Sequence, residues 1–338
     1  QKESDSGQES LSQDTPSQQQ SRGLSKQHTM DGVDFLLGGI AATGATLFTN
    51  PLEVIKTRMQ LQGEMAAKGT YQKPYKSVLE GLVTILRNDG YWALQKGLAP
   101  SLCFQFGINS VRLGTYTTAL EHGLTRSADG TQSIWKSVFW GGTGGFVGSA
   151  LSSPFFMMRT HLQSQAVAEI AVGYQHKHTG MWSALRGIYQ QHGIQGLYRG
   201  VSVTMPRAFL GSGGQLAGFG YTKDLLQRHP LYKGQSERLV SVLSGVAAGT
   251  VMAVTMTPPD VVATRLYNQG VDGKGKGIYY SGVVDCFVKV LKTEGVAGLY
   301  KGFWPHYIRI GPHSMLTLFF FDELKSVRNK LKQKEVIR

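Results

Sequence analysis

Three stretches of this chain, residues 35–52, 137–158 and 239–259, run for 18, 22 and 21 residues without a charged side chain. A helix of about 20 apolar residues crosses a hydrocarbon core, whereas runs of about 10–14 are common inside soluble proteins. Between and after them lie three more apolar stretches, each interrupted by one arginine: 97–120 around Arg112, 200–222 around Arg207 and 302–321 around Arg309. A charge at that depth is costly and usually faces a wet cavity or a partner. The alternation predicts six membrane-spanning helices of two kinds, uncharged in odd positions and arginine-bearing in even ones. Small residues recur within them at helical spacing: Gly141/Gly145, Gly144/Gly148, Gly214/Gly218 and Gly245/Gly249. In lipid such pairs let helix backbones approach closely.

The pattern also repeats. Each odd span ends in a proline and a polar turn: Pro51-Leu-Glu53-Val-Ile-Lys56-Thr-Arg58, Pro154-Phe-Phe156-Met-Met-Arg159-Thr-His161 and Pro258-Pro-Asp260-Val-Val-Ala263-Thr-Arg265. The three leading prolines lie 103 and 104 residues apart. After a short amphipathic stretch a second string follows in each copy: Asp89-Gly with Gln95-Lys96-Gly97, His192-Gly with Tyr198-Arg199-Gly200, and Glu294-Gly with Tyr300-Lys301-Gly302. Proline lacks a donor and kinks a helix, so three kinked ends can converge and bring acids and bases into a ring.

Composition narrows the partners. The 338 residues carry 43 glycines, 17% charged residues and a formal charge of +13. That surplus suits anionic lipid or anionic solutes. It is spread along the chain with no nucleic-acid-binding motif, so no nucleic-acid partner is expected. Cys103 and Cys286 form no metal-type or redox pair, and no cofactor or metal is expected. Nor is there a nucleotide-binding or metalloprotease motif, so the chain is not expected to be an enzyme. The mean hydropathy of −0.15 is low for a membrane protein, as it is when spans line a polar cavity. Residues 1–30, rich in Gln and Ser, read as a disordered segment without the apolar run of a secretory signal.

These two strings resemble the signature of the mitochondrial carrier family, Pro-x-[Asp/Glu]-x-x-[Lys/Arg]-x-[Lys/Arg] followed by [Asp/Glu]-Gly-x4-[aromatic]-[Lys/Arg]-Gly, over roughly residues 32–330. The resemblance implies an all-α membrane protein with six transmembrane helices, in three tandem repeats (31–125, 131–229 and 235–332) with threefold pseudosymmetry. Three short matrix-side amphipathic helices complete it. It further implies a monomeric transporter of the mitochondrial inner membrane, alternating its cavity between two sides, with cardiolipin bound at Gly97, Gly200 and Gly302.

Carried over by position, the matrix gate pairs Glu53 with Arg159 and Asp260 with Lys56. The third pair falls on Phe156 and Ala263, where both charges are gone. Stranding one buried charge costs about 3–5 kcal/mol, whereas replacing both partners is often neutral; the loss therefore reads as coordinated. Gln60, Gln163 and Tyr267 take the bracing positions below the gate. At the cytoplasmic gate only Phe321-Asp322-Glu-Leu-Lys325 fits the family motif. Tyr116-Thr117 and Phe219-Gly220 keep the aromatic but lose the acid, although Lys223 remains, so that end is expected to close mainly by packing.

The family's substrate contacts fall on Phe104-Gln105, Arg207-Ala208 and Arg309-Ile310, with Arg112 two turns beyond the first. Arginine offers a planar donor fork suited to carboxylate, sulfate or phosphate. The strings around Arg112, Arg207 and Arg309 resemble segments of oxoglutarate, dicarboxylate and oxaloacetate carriers. The resemblance thus implies exchange or proton-coupled uptake of a small anionic metabolite, with Phe104 in place of an arginine favouring an anion smaller than oxoglutarate or differently oriented. The alternative on the same fold is an uncoupler-like proton or fatty-acid leak.

Overall fold

The computed structural model describes residues 32–66, 71, 73–125, 127, 133–228, 237–272 and 276–336. The segment expected to be disordered, 1–30, lies outside them. Repeat 1 contains α1 (Gly32–Leu61), α2 (Val78–Asn88) and α3 (Leu98–Glu121). Repeat 2 contains α4 (Ile134–Leu151), α5 (Ser153–Ser164), α6 (Met181–Leu197) and α7 (Val201–Arg228). Repeat 3 contains α8 (Glu237–Asn268), α9 (Val283–Glu294), α10 (Val296–Leu299) and α11 (Phe303–Val336).

The long helices pack in the order α1, α3, α4, α7, α8, α11, and α11 returns to α1, which closes a ring. The prolines act differently in the three copies. Helices α1 and α8 run through Pro51 and through Pro258-Pro259. In repeat 2 the helix breaks at Ser152 (φ −91°, ψ 2°), and Pro154 sits in the first turn of α5, where its missing N–H costs nothing. Past the prolines α1, α5 and α8 touch one another pairwise, so the ring is pinched at that end.

Close helix packing follows the small residues where it is needed. A Cβ on Gly144 would stand 2.9 Å from the Arg112 backbone, and one on Gly148 would stand 3.0 Å from the Ile108 carbonyl oxygen, so α4 lies directly on α3. Gly218 meets the Ala248 backbone in the same way, at 3.2 Å. Gly245 does not: nothing lies within 4 Å of its Cβ position, and the Gly245/Gly249 pair is not a packing site on both residues.

The short helices are set by local chemistry. Ser77 caps α2 by accepting from the Glu80 N–H at 3.2 Å, one half of a capping box. Gly90, Gly193 and Gly295 end the amphipathic helices at φ 80°, 61° and 73°, a backbone region that side chains disfavour. The second of these lies inside α6, which is therefore broken as its two counterparts are.

Polarity is inverted relative to a soluble protein. Leu36, Ile40 and Leu47 on α1, Phe139 and Phe146 on α4, and Ile308, Met315 and Phe319 on α11 are exposed on the outside. Glu53, Lys56, Arg159, Arg207 and Asp260 are buried inside. Among the described residues one helix, Val242–Asn268, is long and apolar enough by composition to cross a membrane.

Candidate functional site: a charged gate beneath a central cavity

The pinch is an ion-pair layer. Lys56 Nζ stands 2.6 Å from Asp260 Oδ2 and bridges α1 to α8. Arg159 reaches Glu53 at 3.7 Å and bridges α5 to α1. Both pairs are those that the family resemblance implied. Two further cations join them from the even helices: Arg207 Nη1 lies 3.0 Å from Asp260 Oδ1, and Arg309 Nε lies 2.9 Å from Glu53 Oε1. Asp260 and Glu53 are thus each held by a cation of another odd helix and by an arginine of the neighbouring even helix.

At the third position of the layer stand Phe104, Phe156 and Ala263. Phe104 and Phe156 meet edge to face at 5.2 Å, occupying the place where the other copies have Arg207–Asp260 and Arg309–Glu53. The Arg159 and Arg207 guanidiniums lie 4.4 and 4.8 Å from the centre of the Phe156 ring. An aromatic face attracts a cation at that range, so Phe156 partly serves two cations that have no third carboxylate to share.

Directly above lies a cavity of about 380 Å³. Phe104, Gln105, Arg112, Arg207, Ala208, Arg309 and Ile310 all line it, as do Glu53, Lys56 and Arg159. Arg112 donates to Asn109 Oδ1 at 3.1 Å and has no carboxylate partner among the described residues. The layer sets two carboxylates against Lys56, Arg159, Arg207 and Arg309, a surplus of two positive charges, and Arg112 adds another. The Nε–H groups of Arg159 and Arg207 have no hydrogen-bond acceptor among the described residues.

Below the layer each bracing residue is clasped from both sides. Gln60 donates to Asp260 Oδ2 at 2.8 Å, receives the Thr264 hydroxyl at 2.8 Å and lies under Gly302, whose Cβ would be 2.8 Å from it. Gln163 receives the Thr57 hydroxyl at 2.9 Å and lies under Gly97 at 2.9 Å, but donates to Asn50 rather than to a gate ion. The Tyr267 hydroxyl bonds Ser153 and Thr204 at 2.7 and 2.9 Å, and its ring lies 3.1 Å under Gly200. The three glycines therefore have a packing role: φ values of 70°, 86° and 77° and van der Waals contact leave no room for a side chain.

Beyond this layer, Arg265 and Lys301 grip Glu294 at 2.5 Å each; burial alone would raise its carboxyl, but these cations hold it below the usual range. Arg58 and Lys96 grip Asp89 at 2.8 and 3.7 Å in the same way. Repeat 2 has His161 and His192 at those positions. Glu64, just past α1, is pushed up to about 7 by burial, against the pull of Arg265 and of the Tyr280 hydroxyl.

Comparison with known proteins now decides the family. The mitochondrial carrier protein family model matches residues 30–126, 130–230 and 234–332. The chain belongs to the mitochondrial carrier family. Among its relatives is human solute carrier family 25 member 35, 49% identical over 87% of this chain and 98% of that protein. The mitochondrial oxaloacetate transport protein of Saccharomyces cerevisiae is 39% identical over 86% of this chain and 87% of its own length. The mitochondrial citrate transporter E of Aspergillus niger is 38% identical over 89% and 94%. Carriers of this family are transporters and not enzymes, and three matched repeats agree with the helical ring described above.

Sequence reasoning missed several cavity residues of this carrier. His313 lines the cavity and bonds Gln105 at 3.0 Å and Thr49 at 3.1 Å. Its signal was position: it lies one helical turn beyond Arg309, on the same face. At the opposite end the Lys325 ammonium stands 6.0 Å from the centre of the Phe321 ring and Lys223 is half-buried. The Asp322 side chain lies outside the described residues.

Proposed function

We propose that this carrier exchanges small carboxylate-type anions of the oxaloacetate or dicarboxylate class, or sulfate, across the mitochondrial inner membrane by alternating access. The observation that carries the reading is the cavity floor: arginines with unspent Nε–H donors converge where cations outnumber carboxylates. Such a floor is completed by a divalent anion. The printed names of the yeast and Aspergillus relatives, for oxaloacetate and for citrate, support the same class. An apolar outer face around a charged interior supports six spanning helices working as a monomer.

The geometry suggests how binding opens the gate. Arg207 and Arg309 hold both gate carboxylates and also face the cavity. An anion that takes over these guanidiniums weakens the hold on Asp260 and Glu53, and with it the pinch between α1, α5 and α8. The substrate thus supplies the interaction that the gate gives up. The Lys/Arg-Gly corners, at the N-termini of α3, α7 and α11, offer free backbone N–H groups to cardiolipin phosphate. Proteoliposomes loaded with one candidate anion test the reading: external anion of the same class should exchange with it saturably. Fatty-acid-induced proton flux without exchange would favour the leak instead.

A further inference from the structure

Repeat 2 differs from its neighbours at a second place, outside the transport path. In repeats 1 and 3 the last cation of the first string is an arginine gripped by an acid: Arg58 by Asp89 and Arg265 by Glu294. Each arginine also donates from Nε to the carbonyl of the bracing residue on the next odd helix, Gln163 or Gln60. Repeat 2 has His161 there, and its Nε2 takes over that link, 2.6 Å from the Tyr267 carbonyl oxygen. The place of the acid is taken by His192, and two other histidines, His176 and His178, come to His161 from the segment after α5.

The three rings lie together with their planes within 13° of parallel. His161 stacks on His176 with ring centres 3.6 Å apart, and one nitrogen from each of the three rings lies within 4.8 Å of the others. His161 Nδ1 and His178 Nε2 are 3.3 Å apart. Two nitrogens each about 2.0–2.1 Å from a tetrahedral zinc ion are separated by about 3.3 Å. Tautomers are fixed by carbonyls: Nε2–H of His161 donates to Tyr267, and Nε2–H of His176 donates to Asn268 at 2.9 Å. That leaves Nδ1 of each with its lone pair. Metal-bound histidines are oriented by just such second hydrogen bonds. Gln165 clamps the bearing segment, donating to the His176 and His178 carbonyls at 2.6 and 3.1 Å.

We propose that His161, His176 and His178 form a three-imidazole site for a divalent transition-metal ion of the zinc class, with a fourth position left for water. The three-nitrogen set suits Zn²⁺, Co²⁺, Ni²⁺ or Cu²⁺ rather than Mg²⁺ or Ca²⁺, which prefer oxygen. A bound ion ties α5 to the 174–179 segment beside the end of α8, along the seam that has no ion pair in the gate.

The test uses the full chain, purified without a histidine tag, titrated with Zn²⁺ by calorimetry and with Co²⁺ by visible absorption. One saturable ion per protein and the d–d bands of a tetrahedral Co²⁺ complex are expected. His161 is buried and holds Tyr267, so its removal risks the fold. His178→Ala and His176→Ala spare the His161–Tyr267 link, and each is expected to weaken binding at least tenfold while unfolding cooperatively without metal. Absence of one-to-one binding in the unaltered protein overturns the proposal, as does unaltered affinity in either variant.

Discussion

Two seams of the pinched end, the proposed gate, are closed by ions and the third by aromatic rings. Between α1 and α8, Lys56–Asp260 is buried, reinforced by Arg207 and braced by Gln60. Between α5 and α8 there is Phe156 against Tyr267, at 5.2 Å, with Ala263 opposite. A buried ion layer is directional and fails sharply when one member is removed, whereas an aromatic contact fails in proportion to the volume lost. Threefold symmetry of the backbone thus coexists with twofold use of charge. Phe104 belongs to the same replacement: when the acid at Phe156 is absent, an arginine at position 104 would have no gate carboxylate to hold.

The largest effect is expected where most charges meet. Asp260→Asn strands Arg207 and leaves Lys56 only Glu53, 3.8 Å away, at a cost of about 3–5 kcal/mol; thermal unfolding should drop by many degrees and exchange should be lost. Phe156→Ala opens the third seam and should destabilise by about 3 kcal/mol through cavity formation. Unlike Asp260→Asn, it should leave residual exchange, which separates the two kinds of seam. If the two variants behave alike, the contrast between ionic and aromatic closure is wrong.

Glu64 gives a pH signature. Its carboxyl is raised from 4.5 to about 7 by burial, so the folded state favours the neutral acid. That contribution is full below about 4.5, the unfolded value, and is lost as pH rises through 7. Glu64→Gln should flatten the fall in melting temperature between pH 5 and 8, with the variant gaining on the unaltered protein at the alkaline end. The smallest effect belongs to Tyr267→Phe. It removes the hydroxyl bonds to Ser153 and Thr204 but keeps the ring, for a loss of about 1 kcal/mol by thermal unfolding.

Much of this was legible beforehand because the repeat fixes equivalent positions. Glu53, Lys56, Arg159 and Asp260 could be paired because the family resemblance implies that pairing at the repeated positions, and the paired absence at Phe156 and Ala263 stood out against the other copies. What spacing could not show was contact between non-equivalent positions. The capture of the gate acids by Arg207 and Arg309 depends on how far the even helices lean inward. Gln163 bonds Asn50 instead of a gate ion because the Arg159–Glu53 pair sits beyond its reach while Asn50 and Ser101 lie beside it. The convergence of His161, His176 and His178 arises from an irregular loop, where no period exists to read.

The central claim is that the cavity's surplus positive charge binds the transported anion, and Arg112 tests it most directly. It lines the cavity yet takes no part in the gate ion pairs, so Arg112→Gln alters binding without opening the gate. A charge-assisted hydrogen bond contributes about 1.5–3 kcal/mol, so kcat/KM for anion exchange in proteoliposomes should fall about 10- to 100-fold, with the melting temperature little changed. Exchange at the unaltered rate for every carboxylate and for sulfate would contradict the account.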